Sequence, residues 1–535
     1  MSRSLVKYGA LFAAVAMAGL TCACGGGSGT ITSNPAPTPT TGSYSASSLS
    51  GTYAFEMSGV DTSADSFLAR VGSFTANGAG GVTAGVQDLS SALSGSSVTL
   101  AISSGTYTIG TNGKGTLTLV DSAETAQFSV VMTSSTAGLI TETDGIATAS
   151  GNFTLQDTTT FAAVPTNFSG PYVFDFSGLD PNGAGESIVG QFTGNGAGGF
   201  TTGVADVNDD FTASGQLPIT GTFTRDPTYG ATFGRGTATF SINGSTLNFA
   251  FYTVGAGRIR MLRTDFPAAS IGDAVAQTGT IPTATSGLSG SFAFIVGGSS
   301  LSGAEVRAGR VSLSGGAASN IELDDDDSSA SGSGNSNHTA IPLGTISAAS
   351  YTIDSSGDGR GTLTFTDSSA GTFSFIFYLT SPTSAVVQDV SVGKSSLPII
   401  TADGSMQMQT GSPFTTAGEA GNWAFNWSGE SVNGNSGLFG EEDFLGQYTQ
   451  TSSGSISGGV DFTELSANSV VTNGALSGTM TIAGDGTLRN TYSITLATSP
   501  SATLNFAAYV VDANTIFLVG VDTHRTITGS ILRNF

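Results

Sequence analysis

The chain has 535 residues, of which 39% are hydrophobic and only 10% are charged. This composition excludes a disordered polyelectrolyte and a bundle of membrane helices, and the length suffices for three or four ordinary domains. The net charge of −23 argues against nucleic acid as a partner, because phosphate binding needs clustered basic side chains. The acidity predicts a soluble surface, and attraction of cations such as calcium is the alternative.

Residues 1–24 read as an export signal. Two basic residues precede the apolar run ALFAAVAMAGL at 10–20, which is too short to span a bilayer, and the cysteines of TCAC follow. The stretch resembles a bacterial lipoprotein signal, in which the residue after the cleavage point is a lipid-modified cysteine. Cys24 is the predicted lipid attachment site, with Cys22 as the alternative. An ordinary secretory signal with incidental cysteines also stays open.

The remaining residues contain no further cysteine, so the exported part has no disulfide framework. Residues 25–45 are rich in Gly, Ser, Thr and Pro. Such a composition is typical of a solvated linker. We therefore expect an anchor in the bacterial envelope, a spacer and then the folded part, with the choice between periplasmic and exterior faces left open.

Four copies of one unit fill the rest of the chain. Each opens on a similar phrase (SGTYAFEMSG, SGPYVFDFSG, SGSFAFIVGG or AGNWAFNWSG) and closes on a glycine five places before Gln or Asn, as in GNFTLQ. Large apolar residues alternate with small or polar ones, which predicts strands with one buried face. Short joints that contain proline separate the units. The predicted domains are 46–157, 167–277, 287–409 and 418–535.

Two glycine-rich phrases, ANGAGGVTAGV at 76–86 and GNGAGGFTTGV at 194–204, could be taken for phosphate-binding loops. A nucleotide-binding loop needs a following helix, whereas each phrase is followed by another predicted strand. Asn-Gly between alternating runs is a strong hairpin signal. Both phrases are therefore predicted to be turns.

Acidic residues recur at two kinds of place. Four consecutive aspartates at 324–327 follow a turn region of the third unit and are predicted to form a solvated loop, with a calcium site as the alternative. An acid also recurs near the end of each seventh strand, where a turn role is expected. These residues are Asp144, Asp265, Asp389 and Asp522.

The pattern predicts an all-β chain of four tandem repeats of about 110–125 residues. Eight strands joined by short turns can close into an antiparallel up-and-down β-barrel, which leaves no exposed edge. A two-sheet β-sandwich is the alternative. The opening GNW at 421–423 resembles the first-strand motif of lipocalins and avidins, which are barrels of this kind, and no ligand-binding residue is carried over from them.

At the level of the whole chain, the sequence resembles uncharacterised repeat lipoproteins of soil bacteria, especially acidobacteria. In those proteins, units that begin like SGTYAF follow a lipoprotein leader, and the resemblance covers nearly the full length. It implies an envelope location and supplies no activity.

No catalytic, cofactor-binding or metal-binding residue is predicted, and the chain is not expected to be an enzyme. His338 and His524 are the only histidines and belong to no metal-binding spacing, and no GxSxG elbow precedes a helix. A structural, adhesive or interaction role in the envelope is predicted. The partners would be the membrane, through the lipid anchor, and a surface polymer or a protein.

Two alternatives stay open. Lipocalin-like barrels could hold a small apolar ligand if their aromatic residues leave the interiors open. A membrane-spanning β-barrel is suggested by the terminal aromatic of SILRNF. The aromatic residues that decide the first alternative are Phe128, Phe249, Phe375 and Phe506.

Overall fold

The structure is a computed structural model. It describes residues 43–62, 66–91, 97–300, 303–328, 336–391, 400–411, 414–432, 439–465, 469–482, 489–497 and 502–534. The predicted signal at 1–24, its Cys22 and Cys24, and the linker up to residue 42 lie outside the described residues. Within them, the chain forms four successive eight-stranded antiparallel barrels. This confirms the predicted fold class, the barrel rather than the sandwich.

In barrels 1 and 2 the first strand pairs with both the second and the last, which closes the sheet. In barrels 1, 2 and 3 one strand is interrupted and is given below as two segments, whereas barrel 4 has eight uninterrupted strands. Barrel 1 consists of Ser50–Asp61, Ser66–Asn77, Gly81–Ser91, Val98–Ile102, Ser104–Ile109, Lys114–Val120, Thr125–Met132, Ala137–Glu142 and Ala147–Leu155. Barrel 2 consists of Ser169–Leu179, Gly185–Asn195, Gly199–Phe200, Gly203–Asp209, Thr212–Arg225, Arg235–Ile242, Ser245–Gly255, Arg258–Arg263 and Ala269–Ala276.

Barrels 3 and 4 close in the same way. Barrel 3 consists of Gly290–Ser300, Gly303–Ser314, Ala317–Ser328, Ser336–Ile341, Ile346–Ile353, Arg360–Asp367, Gly371–Ser381, Ser384–Asp389 and Ile400–Met408. Barrel 4 consists of Gly421–Val432, Phe439–Gln450, Ser455–Glu464, Ser469–Ile482, Arg489–Ala497, Ala502–Asp512, Thr515–Gly520 and Arg525–Arg533. The described helices are Ala46–Ser48, Thr158–Ala163, Gly230–Phe233 and Thr285–Gly287. None of them is long and apolar enough to cross a membrane.

The glycine-rich phrases form the predicted turns. Asn77 Oδ1 accepts hydrogen bonds from the backbone N–H groups of Ala79 and Gly81 at 2.8 and 2.9 Å, and Asn195 makes the same pair of bonds in barrel 2. The two glycines inside each turn have φ between 66° and 95°. Glycine adopts this left-handed conformation without a steric penalty, which explains why the phrase is repeated.

Each barrel interior is filled by its own aromatic and aliphatic core. The alternation read from the sequence places one face of every strand inward, so that Tyr53, Phe55 and Met57 enter the core of barrel 1. In barrel 2, Phe240 contacts the aromatic side chains of several strands. The other cores are built from equivalent residues.

The four barrels pack into a closed ring, called the barrel ring below. The second strand of each barrel lies against the last strand of the next barrel, and the second strand of barrel 4 lies against the last strand of barrel 1. We call the contacts between barrels 1 and 2, 2 and 3, 3 and 4, and 4 and 1 the first to fourth seams. Each seam contains an apolar cluster.

The packing predicts a large cost for truncating Phe240. The Phe240→Ala variant should lower the free energy of unfolding by about 3–5 kcal/mol, because the cavity removes contacts on all sides of the ring. Thr237→Ala, at an exposed position of the same strand, should change it by less than about 0.5 kcal/mol. Urea titration of the intact chain measures both values, and similar effects for the two variants would contradict this account of the core.

Candidate functional site

The charged side chains lie mainly inside the molecule. More than half of the 39 Asp and Glu residues are buried, although the sequence suggested a charged surface. Burial of a carboxylate is costly unless the group is paired. These carboxylates meet in the seams and at the centre of the barrel ring, where donors from a neighbouring barrel compensate many of them.

The first seam contains a carboxylate that is bound by the neighbouring barrel. Arg235 donates through Nε and Nη2 to the two oxygens of Asp88 at 2.8 and 2.7 Å, and the Tyr252 hydroxyl donates to Oδ2 at 2.6 Å. Arg235 and Tyr252 face each other across paired strands of barrel 2. Bidentate, charge-assisted bonds of this kind fix geometry as well as adding stability. We call this arrangement the Asp–Arg–Tyr clamp.

The clamp recurs in the second and third seams. Each arginine binds both carboxylate oxygens at 2.7–2.8 Å, and each tyrosine hydroxyl donates at 2.5 Å. Burial and the adjacent carboxylate raise the pKa of each tyrosine well above its usual value. The residues are Asp206, Arg360 and Tyr378 in the second seam, and Asp324, Arg489 and Tyr509 in the third.

The prediction of a solvated loop at 324–327 is wrong. These aspartates lie in strand Ala317–Ser328, where Asp324, Asp325 and Asp326 are buried. Asp324 belongs to the clamp and also binds His338 Nε2 at 2.8 Å, whereas Asp325 binds Arg307 Nε at 2.7 Å. Because successive strand residues point to opposite faces, the four carboxylates do not converge on one point. Among the described residues, no group of three or more acidic, His or Cys side chains is arranged to hold a metal ion.

The Gln or Asn that closes each repeat binds the next barrel. Gln156 Nε2 donates to the backbone carbonyls of Phe233 and Thr253 at 3.0 and 2.6 Å, and Gln277 makes the equivalent pair of bonds with barrel 3. The sequence pattern did not predict this contact between barrels. Its signal was the Gln or Asn that recurs after every closing strand. The joints are therefore bonded to the following barrel.

All four acids near the seventh strands accept a hydrogen bond from a backbone N–H group, as the predicted turn role requires. These acids are Asp144, Asp265, Asp389 and Asp522. Asp389 accepts its bond from the Ser391 N–H at 2.8 Å, and its carboxylate also binds Arg307 Nη1 at 2.5 Å. In barrel 3 the cross-strand N–H of Ser374 donates to Ser391 Oγ.

The fourth seam departs from the clamp pattern. Lys114 and Val131 occupy the paired positions where the other barrels have Arg and Tyr. The Lys114 ammonium binds Asp461 Oδ1 at 2.8 Å and Asn473 Oδ1 at 3.2 Å. The buried apolar cluster in this seam is small among the described residues and consists of Val131, Leu139, Ala424 and Leu445.

A groove of about 480 Å³ lies in this fourth seam. Its barrel 1 wall consists of Thr111, Asn112 and Lys114, and its barrel 4 wall comes from the first four strands and the residue after the last. The described residues that line it carry amides and hydroxyls and a single charge, Lys114. Trp423 and Tyr448 also border it, and their side chains are buried in the core of barrel 4. The chemistry of this lining suits an uncharged partner that forms hydrogen bonds more than an ion.

A second cavity, of about 110 Å³, lies at the centre of the barrel ring. Barrels 1, 3 and 4 line it with groups such as Ser150, Ser428 and Asp403. Nearby, Glu56 accepts from Arg260 Nη1 of barrel 2 at 3.0 Å. Burial raises the pKa of Asp175 well above its usual value, and Asp403 raises it further. The lining also includes the apolar side chains of Leu139, Ile295, Val296 and Phe517, so it is mixed in character.

The chain matches no protein-family model and no curated protein. Among solved structures it is similar to a mutant of transferrin binding protein B from Haemophilus parasuis, with 9% identity, coverage of 75% of this chain and 84% of that one, and a TM-score of 0.20. Isotype 1 transferrin binding protein B from Neisseria meningitidis gives 11% identity, coverage of 73% and 80%, and a TM-score of 0.19. At such TM-scores, no property of those proteins is transferred to this chain.

The ion pairs of the seams predict unequal losses of stability when their carboxylates are removed. Asp206→Asn should lower the free energy of unfolding by up to about 3–5 kcal/mol, because Arg360 loses its buried bidentate partner and keeps only the partly exposed Asp354 at 3.1 Å. Asp461→Asn should cost less, because its partner is the partly exposed ammonium of Lys114. Thermal unfolding of the intact chain compares the two, and a larger loss for Asp461→Asn would contradict the hierarchy.

The buried acids predict that stability falls as pH rises. Burial raises the pKa of Glu142 from 4.5 to about 8, although Arg70 lowers it, so the folded state keeps a proton that the unfolded chain releases. This stabilisation, a few kcal/mol in order of magnitude, is fully present below about pH 4.5 and is lost as pH rises through about 8. Glu142→Gln should flatten the fall in unfolding temperature between pH 5 and 8, and the exposed control Asp210→Asn should not.

Proposed function

We propose that the chain is a lipid-anchored lipoprotein of the bacterial envelope whose barrel ring serves as a rigid interaction platform. The single observation that carries this proposal is that the barrel interiors are filled while the seams hold the polar clefts. Phe128, Phe249, Phe375 and Phe506 are exposed by 1–2% and belong to the cores. This filling argues against the alternative of small apolar ligands inside the barrels, and it leaves outer surfaces and seams for binding.

The anchor part of the proposal rests on the leader. Cys24 would carry the lipid, or Cys22 in its place, and residues 25–45 would space the barrel ring from the membrane. Tyr44 donates its backbone N–H to Thr111 O at 3.1 Å, so the spacer enters the molecule at barrel 1, beside the fourth seam. The similarity to acidobacterial repeat lipoproteins supports an envelope location, on the outer membrane at its periplasmic or surface face. The platform would not be an enzyme and would need no cofactor.

Metabolic labelling with a palmitate analogue tests the anchor. Labelling should be lost in the Cys22→Ser/Cys24→Ser double variant and in Cys24→Ser alone, and it should persist in the leader control Ser28→Ala. If labelling is lost in Cys22→Ser and persists in Cys24→Ser, the lipid attachment site is Cys22. Full labelling and membrane retention of the double variant would overturn the anchor.

Native mass spectrometry of the folded chain tests the platform against the ligand-carrier alternative. The filled cores predict the mass of the polypeptide with its lipid and nothing more. A copurified small molecule whose binding is reduced by core substitutions such as Phe249→Trp would contradict the platform and restore the ligand-binding alternative.

A further inference from the structure

The groove of the fourth seam corresponds to a position that the repeat fills elsewhere. Gly459 lines the groove on the barrel 4 side. The strand registers place Gly459 where barrel 1 has Val86 and barrel 2 has Val204. In each barrel a glycine of the second strand (Gly72, Gly190 or Gly446) pairs with a residue of the third strand, and the position in question is the residue just before that partner. Barrel 4 therefore lacks the side chain that these barrels present to their neighbours.

The facing turn differs as well. In the first seam, barrel 2 contributes the turn 226–234, and its Phe233 packs in one apolar cluster with Val86 while Tyr229 packs against that cluster. The two aromatic rings lie 6.4 Å apart. In the fourth seam, barrel 1 contributes the much shorter turn GTNG at 110–113. The first seam thus shows what this place in the repeat accommodates, which is an aromatic pair carried by the turn 226–234.

The lining of the groove has the chemistry to receive such a loop. Asn534 is 6% exposed, and its Nδ2 donates to Asn112 O at 3.3 Å, whereas its Oδ1 is buried without a hydrogen-bond partner. An incoming backbone N–H or phenolic O–H can donate to this oxygen. The Lys114 charge is already neutralised by Asp461. The volume lies in the range of pockets that bind peptide side chains and small ligands.

We propose that the groove of the fourth seam binds a loop of a partner protein that inserts an aromatic side chain, as Tyr229 and Phe233 do in the first seam. The aromatic ring covers Gly459, and the loop backbone or a tyrosine hydroxyl donates to Asn534 Oδ1. This inference deepens the proposed platform role and rests on it, because it names the surface and the class of partner. It does not depend on the lipid anchor.

A synthetic peptide with the sequence of residues 225–235, RDPTYGATFGR, is the probe, because the chain itself uses this loop at the equivalent seam. Trp423 lines the groove, and both tryptophans of the chain, Trp423 and Trp427, lie in barrel 4. Titration of the full chain should give a saturable change in tryptophan fluorescence. The control peptide RDPTSGATSGR should bind at least about tenfold more weakly, since it lacks both aromatic rings.

Gly459→Tyr should abolish the response by filling the groove from within. A Cβ at Gly459 has its nearest neighbour, Gly474 O, at 3.6 Å, so the variant is expected to fold. Gly257→Tyr is the matched control, since its Cβ position is equally free at 3.7 Å and lies on an exposed turn of barrel 2. It should bind the peptide like the unaltered chain. Calorimetry repeats the comparison without the tryptophan signal.

The inference would be overturned by no binding to the unaltered chain, by equal binding of the serine peptide, or by unchanged binding to Gly459→Tyr. None of them bears on palmitate labelling or on the mass of the folded chain, which test the platform separately. Loss of binding in both glycine variants would also overturn it, because the peptide would then recognise something other than the groove.

Discussion

A carboxylate buried between two barrels is the constraint on which the arrangement of the barrels depends. Asp88, Asp206 and Asp324 are removed from water, and their compensating donors come from an Arg and a Tyr of the next barrel. The apolar clusters around them favour association of the barrels in a general way, because burial of apolar surface is not directional. The bidentate bonds select one rotation and one register of each barrel against its neighbour.

The barrel ring follows from repeating that contact. Barrels 1 to 3 carry the acceptor on the third strand, and barrels 2 to 4 carry the donors on the fifth and sixth, so three of the four seams contain a clamp. The closing Gln residues add bonds to backbone carbonyls of the following barrel. At the fourth seam the donor positions hold Lys114 and Val131, and the facing turn is short. The groove lies in this same seam.

The filled interiors and the polar seams separate the two tasks of the fold. Aromatic side chains make each barrel a solid body, which leaves the interior to stability. In the proposed platform role, binding falls to the places where one barrel meets another. This division contrasts with the carrier barrels that the GNW opening resembles, in which the interior would receive the ligand.

The sequence by itself determined the four repeats, the glycine turns and the all-β barrel class. It also predicts the export signal, which stays a hypothesis. These features are local: alternation specifies which strand face is buried, and Asn-Gly specifies where a hairpin turns. Only the tertiary structure decided what covers the outward face of each strand. Asp88 and Arg235 are 147 residues apart. The alternating sequence pattern around an outward carboxylate is identical whether that carboxylate faces water or a neighbouring barrel. The sequence pattern therefore predicts a loop for the aspartates at 324–327. The packing of barrel 3 on barrel 4 instead makes Asp324 the acceptor of a clamp.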